Sequence, residues 1–272
     1  MQSYQYYVDN HPYWIILCIV IIFTFLTIVF YYTRDKYEPE PISRIVVAFI
    51  YGIISVIPAI VISVLVSSLI PSNTVLFSIL IAPVIEEFCK GYFVVLLSKD
   101  NTFDGPLDGF VYGAMVGSGF AAVENILYGI SAVLQYTNNS GVELTFIRSM
   151  TLIIGHPFYT GIMGAGVGAY KVGLQRSPYN EIWVSMMFHA FWNGVASLST
   201  TGTFFLGLLV VIIASIYKMR VELRKAIALD KVAFEQGYYT KKKEYYEQLE
   251  RMRQESMWGH YPPFMNNEDK PF

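Results

Sequence analysis

The stretch VIEEFCKGYFVV, Val84 to Val95, sets Glu86, Glu87 and Lys90 inside an otherwise apolar run. Three other apolar stretches carry polar groups of the same kind: Glu124 and Asn125 in GFAAVENILYG, His156 in IIGHPFYTG, and His189 with Asn193 in MMFHAFWNG. Lys90 follows Glu86 by four residues and Glu87 by three, so on a helix it offsets one carboxylate from the same face. Two or three carboxyls and two imidazoles are a set that suits peptide hydrolysis. A carboxylate takes a proton from water, an imidazole or a metal stabilises the oxyanion, and an amide such as that of Asn193 donates to it. Glu and His are also zinc ligand types that leave a position open for water. The soluble HExxH pattern is absent, so residue type permits a metal and spacing does not require one. Cys89, between the charges, lies off the Glu86 face.

The elements that must position these groups are membrane spans. Of 272 residues, 54% are hydrophobic and only 15% charged, a balance that excludes an ordinary soluble domain. A spanning helix needs about 20 mostly apolar residues. Seven stretches qualify, giving an all-α polytopic membrane protein: Trp14 to Tyr32, Ile45 to Ile70, Thr74 to Ser98, Leu107 to Val133, Phe146 to Tyr170, Ile182 to Ser199 and Thr203 to Tyr217. The first has no Lys or Arg before it and no small-residue cleavage site after it, and reads as a retained helix rather than a signal peptide. Cys18 and Cys89 both fall within spans, so no disulfide framework is expected.

Loop charge predicts the orientation. Arg34, Lys36, Arg44, Lys99, Lys171 and Arg176 fall on one side, with only Arg148 on the other, which puts the N-terminus outside and the C-terminus in the cytoplasm of a multi-pass cell-membrane protein. Eleven of the 19 Lys and Arg residues lie at or beyond Lys218. The chain therefore divides into a membrane domain, 1–217, and a charged cytoplasmic helical tail, 218–272. The end from Trp258, with Pro and Asn and no periodicity, is expected to be disordered. The interleaved glutamates of the tail read as a solvated face, with anionic lipid binding as the other reading of its lysines, and no nucleic-acid partner is expected.

Depth is the strongest argument for a site. Glu86 lies about 18 Å from the outer edge of its span at about 1.5 Å per residue, and Glu124, His156 and His189 fall within a turn or two of that level. Each is costly in lipid, and intramembrane ionisable groups that converge mark a reaction site or an ion path. Gly109, Gly113 and Gly117, with Gly164 and Gly168, recur every four residues and predict close helix contact. Pro157, after His156, reads either as a break that opens a cavity or as a simple kink.

EEFCK, the segment DGFVYGAMVGSGFAAVEN from Asp108 to Asn125, GHPFYTG and HAFWN together resemble the PrsW family of intramembrane proteases, related to the type II CAAX prenyl endopeptidases. The motifs cover about residues 80–195. The resemblance implies an endopeptidase that cuts a single-pass membrane protein, in some relatives an anti-sigma factor cut on its outer side. It implies catalytic roles for Glu86, Glu87, Glu124, His156, His189 and Asn193. Where the CAAX endopeptidases have Phe and His four residues apart, this chain has Phe120 and Glu124, a carboxyl in place of an imidazole. Two mechanisms follow: a divalent metal such as zinc held by some of Glu87, Glu124, His156 and His189 with Glu86 as general base, or Glu86 working with a histidine and no metal. The competing functions are a non-catalytic scaffold subunit of a membrane protease and a proton or ion conductor.

Overall fold

The computed structural model describes residues 8, 11–197, 204–238 and, beyond them, 240, 241, 243–245, 247, 248 and 251. Among these residues the chain is helical, without strands. The helices are α1 (Pro12–Tyr32), α2 (Ile42–Ser67), α3 (Ala82–Leu97), α4 (Pro106–Gln135), α5 (Asn138–Met150), α6 (His156–Lys171), α7 (Asn180–Ser197) and α8 (Phe204–Glu235). A π-helical turn, Phe77–Ile81, leads into α3, and a 3-10 turn, Leu152–Ile154, separates α5 from α6. By length and composition α1, α2, α4 and α8 can cross a membrane. In α4, 78% of the apolar window is buried inside the protein, against 17–33% in the other three, so α4 is the central helix and they present apolar side chains outward.

Local sequence explains the helix starts. Proline, whose missing N–H is not needed in a first turn, opens α1, α3, α4 and α6. Thr137 caps α5 by accepting from the Ser140 amide at 3.1 Å. Pro58 lies within α2, where it removes one backbone hydrogen bond.

The predicted glycine contact joins α4 to α6. A Cβ built on Gly109 would stand 2.1 Å from the Gly164 carbonyl oxygen, and one on Gly117 would stand 2.4 Å from that of His156. No side chain fits there, so the two backbones touch along an antiparallel seam.

Sequence reading and structure differ at the fifth span. A single helix, Phe146 to Tyr170, was expected; instead α5 and α6 form an interrupted pair. Along α5 the partners advance down α1: Val142 clusters with Ile16, the ring of Phe146 meets Phe23 edge-on at 5.8 Å, and farther on the Tyr31 hydroxyl donates to the Ile153 carbonyl at 2.5 Å. α5 thus runs parallel to α1, the chain turns through residues 151–155, and α6 starts at His156 against the middle of α4. Of the two readings of Pro157, the break is the one realised. Gly155 leaves the helical conformation (φ −96°, ψ −135°), and the proline reopens the helix at its first turn. Arg148, counted from sequence as an outer-side charge, belongs to α5 and turns inward; only the last turn of α5, from Phe146, had been read as part of a span, the rest being too polar.

Residues 1–227 form one compact unit and residues 228–272 a second, smaller one. In the tail, Lys231 pairs with Glu235 at 3.5 Å and Lys243 with Glu247 at 4.0 Å, the i,i+4 pattern of a solvated helix. The segment from Trp258, expected to be disordered, lies outside the described residues.

Candidate active site

The four stretches singled out by residue type meet in the interior. Each comes from a different helix: Glu86, Glu87 and Lys90 from α3, Glu124 from α4, His156 from the first turn of α6 and His189 from α7. Glu87 and Lys90 are fully buried. Lys90 Nζ donates to Glu87 Oε1 at 2.5 Å and to His156 Nδ1 at 2.7 Å, and sits 4.4 Å from the centroid of the Phe120 ring. Glu87 also accepts from Ser185 Oγ at 2.9 Å and Thr160 Oγ1 at 3.4 Å, and pairs with His189 Nδ1 at 2.9 Å. Both of its oxygens are therefore committed.

These contacts assign the imidazole protons. The Lys90 ammonium has donors only, so His156 Nδ1 accepts. His156 Nε2 then carries the hydrogen and donates to Glu124 Oε2 at 2.9 Å. Glu87 can only accept, so His189 Nδ1 carries the other proton, and the unprotonated Nε2 is left 3.7 Å from Glu86 Oε2. The His189 ring stacks on Tyr159 at 5.6 Å and meets the His156 ring edge-on at 4.6 Å, which fixes its plane.

Arg148 supplies a second cation that sequence reasoning did not connect to the site. Its Nη2 donates to Glu124 Oε2 at 2.6 Å, its Nε donates to Asn125 Oδ1 at 2.9 Å, and its guanidinium lies 4.0 Å from the Tyr128 ring centroid. Charge is then balanced pairwise, Glu87 with Lys90 and Glu124 with Arg148. Glu86 is the carboxylate left over. Its Oε2 is buried and makes no hydrogen bond among the described residues.

Asn193 belongs to the periphery of the cluster: its amide donates to the Ser78 carbonyl at 2.9 Å, tying α7 to the π-helical turn before α3. Ser185 and Thr160 escaped sequence reasoning, although each stands four residues from a histidine on the same helix face, which is a readable signal.

Glu86, His156 and His189 offer ligand atoms within 4.8 Å of one another. Two imidazoles and a carboxylate are a donor set that suits zinc. His189 fits best, because Glu87 holds its far nitrogen as a carboxylate does behind many metal-bound histidines. Both His156 nitrogens are hydrogen-bonded, so His156 can join a metal only by exchanging one of those partners. Glu87, placed among the ligands from sequence, instead has its oxygens on Lys90, His189, Ser185 and Thr160.

A cavity of about 230 Å³ reaches Glu86 and Glu124 from the C-terminal half of α2, with Val56, Ala59, Ser63 and Phe120 in its wall.

Comparison with known proteins identifies the family and several relatives. The sequence matches the PrsW family of intramembrane metalloproteases over residues 40–218. It is 33% identical to Protease PrsW of Geobacillus kaustophilus (strain HTA426) over 168 residues, 61% of this chain and 71% of that protein. Identity to Protease PrsW of Bacillus subtilis (strain 168) is 29% over 168 residues, 61% and 73% of the two chains. Identity to Protease PrsW of Oceanobacillus iheyensis is 28% over 198 residues, 70% and 87%. No solved structure matches the chain.

Proposed function

Because the chain belongs to the PrsW family of intramembrane proteases, we propose that it hydrolyses a peptide bond of a single-pass membrane protein with Glu86 as general base. One observation carries the assignment of the base: among three clustered carboxylates, Glu86 alone lacks a cation partner and faces both the cavity and the free nitrogen of His189. A carboxylate in that setting is a competent proton acceptor, whereas Glu87 and Glu124 are held by their pairs.

Glu86 removes a proton from water, and the hydroxide attacks the scissile carbonyl carbon. The C–N bond then breaks and the same proton passes to the leaving amine. Glu87 orients His189 through Nδ1, and Glu124 orients His156 through Nε2. His156 and His189 are the residues that would hold a zinc ion beside Glu86, and a bound zinc would supply Lewis acidity toward the carbonyl oxygen.

The proposed topology keeps the N-terminus outside, and it is supported by the move of Arg148 into the site, which removes the one basic residue counted on the outer side. Glu86 then lies in the path of a substrate arriving from the outer half of the bilayer, as first cleavage of an anti-sigma factor requires. A free base favours the enzyme over the scaffold reading, since a scaffold has no use for an uncompensated buried carboxylate.

The test compares cells carrying wild type and Glu86→Gln by mass spectrometry of protein N-termini. A single-pass protein should lose a cut near its outer membrane boundary in the variant at equal expression. Identical profiles, at rest and under envelope stress, would remove Glu86 from catalysis.

A further inference from the structure

The cavity beside Glu86 has a composition that selects what enters it. Apart from Glu86 and Glu124 its wall is apolar or hydroxylic: Val56, Ala59, Ile60 and Ser63 on α2, Phe77 before α3 and Phe120 on α4. Farther out along α2, the Ser67 hydroxyl is turned onto its own helix, donating to the Val64 carbonyl at 2.7 Å. Glu124 is already matched by Arg148, so only Glu86 offers an unpaired charge.

We propose that this cavity is the subsite for one uncharged, apolar side chain next to the scissile bond, and that the substrate reaches it along the C-terminal half of α2. The inference rests on the assignment of Glu86 as the base. At about 230 Å³ the cavity falls below the roughly 300–1,000 Å³ of pockets that enclose a drug-sized molecule, which suits a single residue. An acidic side chain would be repelled by Glu86. A basic one would pair with Glu86 and remove the free base on which hydrolysis depends. An apolar one gains from burial and leaves the carboxylate unpaired.

Two measurements test the subsite and the protease reading separately. The first uses purified full-length protein in nanodiscs and single-pass reporter peptides with randomised outer juxtamembrane residues, the cuts read by mass spectrometry. Apolar residues should be enriched at one position beside the cut and Asp, Glu, Lys and Arg depleted there. Ser63→Phe, which fills the cavity from α2, should lower the ratio of cleavage with Leu or Phe at that position to cleavage with Ala by about 10- to 200-fold. An unchanged ratio with cleavage intact overturns the subsite and leaves the protease standing. The second measurement needs no cleavage: Ser63→Cys combined with Glu86→Gln is tested for disulfide formation with reporters carrying one cysteine in the same region. Ile57→Cys, from a position 64% exposed and absent from the cavity wall, is the comparison. Cross-linking at position 63 above position 57 supports the subsite even if no hydrolysis is detected, and equal or absent cross-linking overturns it.

Discussion

Replacing Arg148 with Met leaves Glu124 in the interior without its cation while keeping the bulk of the side chain. A buried pair broken on one side costs about 3–5 kcal/mol, and an exposed pair about 0–1 kcal/mol. The Arg148 and Glu124 side chains are 26% and 16% exposed, between those limits. The expected loss is about 2 kcal/mol, roughly a 30-fold change in the folding equilibrium. The assay is reversible unfolding in mixed micelles followed by tryptophan fluorescence. Arg148→Lys retains charge but not the two-point contact with Glu124 and Asn125, so it should fall between wild type and Met. The decisive comparison is Arg148→Met with Glu124→Gln, in which no carboxylate is stranded; it should recover about half or more of the loss. A single Arg148→Met variant as stable as wild type, or a double variant no better than the single one, refutes the pairing argument.

The other expectations concern packing, pH and metal. Gly117→Ala puts a methyl 2.4 Å from the His156 carbonyl oxygen, so the start of α6 must shift; protease activity should fall by about 10²-fold, as for an ångström-scale misplacement, with the protein still in the membrane. Burial pushes the Glu40 carboxyl, in the loop between α1 and α2, up to about 9, with Asp35, Asp104 and Glu38 adding repulsion against a hydrogen bond donated by Tyr112. Because the folded value is raised, the stability from neutral Glu40 is complete below its ordinary value near 4.5 and is lost as pH climbs through about 9. Thermal stability should decline from pH 5 to 9 in wild type and less in Glu40→Gln, and parallel profiles would contradict this. Purified protein should carry zinc, measured by elemental mass spectrometry, with the metal lost in His189→Ala and held about 10- to 100-fold more weakly in Glu87→Gln, whose amide no longer anchors the imidazole as a carboxylate does.

How much of this was legible in the sequence follows from the cost of charge in lipid. Glu86, Glu87, Glu124, His156 and His189 stand out because each is expensive in an apolar span, and that expense marks their common depth as well. The division of labour between Glu86 and Glu87 was not legible. Lys90 is in reach of either from the same helix, and only the positions of α6 and α7 decide that it takes Glu87 and that His189 and Ser185 follow. Arg148 was hidden for a different reason. The stretch from Thr137 to Thr145 is polar enough to look like a loop, which left Arg148 at the edge of a span among the outer charges, and its place makes sense only once Glu124 and Asn125 are seen facing it. Glycine spacing foretold the α4–α6 seam but not its register, which sets the His156 carbonyl against Gly117.

The direction of the polar network separates a reaction site from a conduit. Contacts run without a gap from Arg148 on α5 to Glu124 on α4, His156 on α6, Lys90 and Glu87 on α3, and His189 on α7. Nearly every step passes to another helix, so the chain crosses the bundle sideways instead of following one helix toward either face. A proton conductor needs its relay to lead out at both ends. Here one end is Arg148, which has no acceptor function, and the other is His189, whose free nitrogen points back at Glu86. A sideways network closed by a guanidinium moves no proton across the membrane; what it can do is hold two histidines in fixed tautomers around one unpaired carboxylate. The break between α5 and α6 is what makes this possible, because it delivers His156 from a helix start and Arg148 from a helix end to the same level of α4.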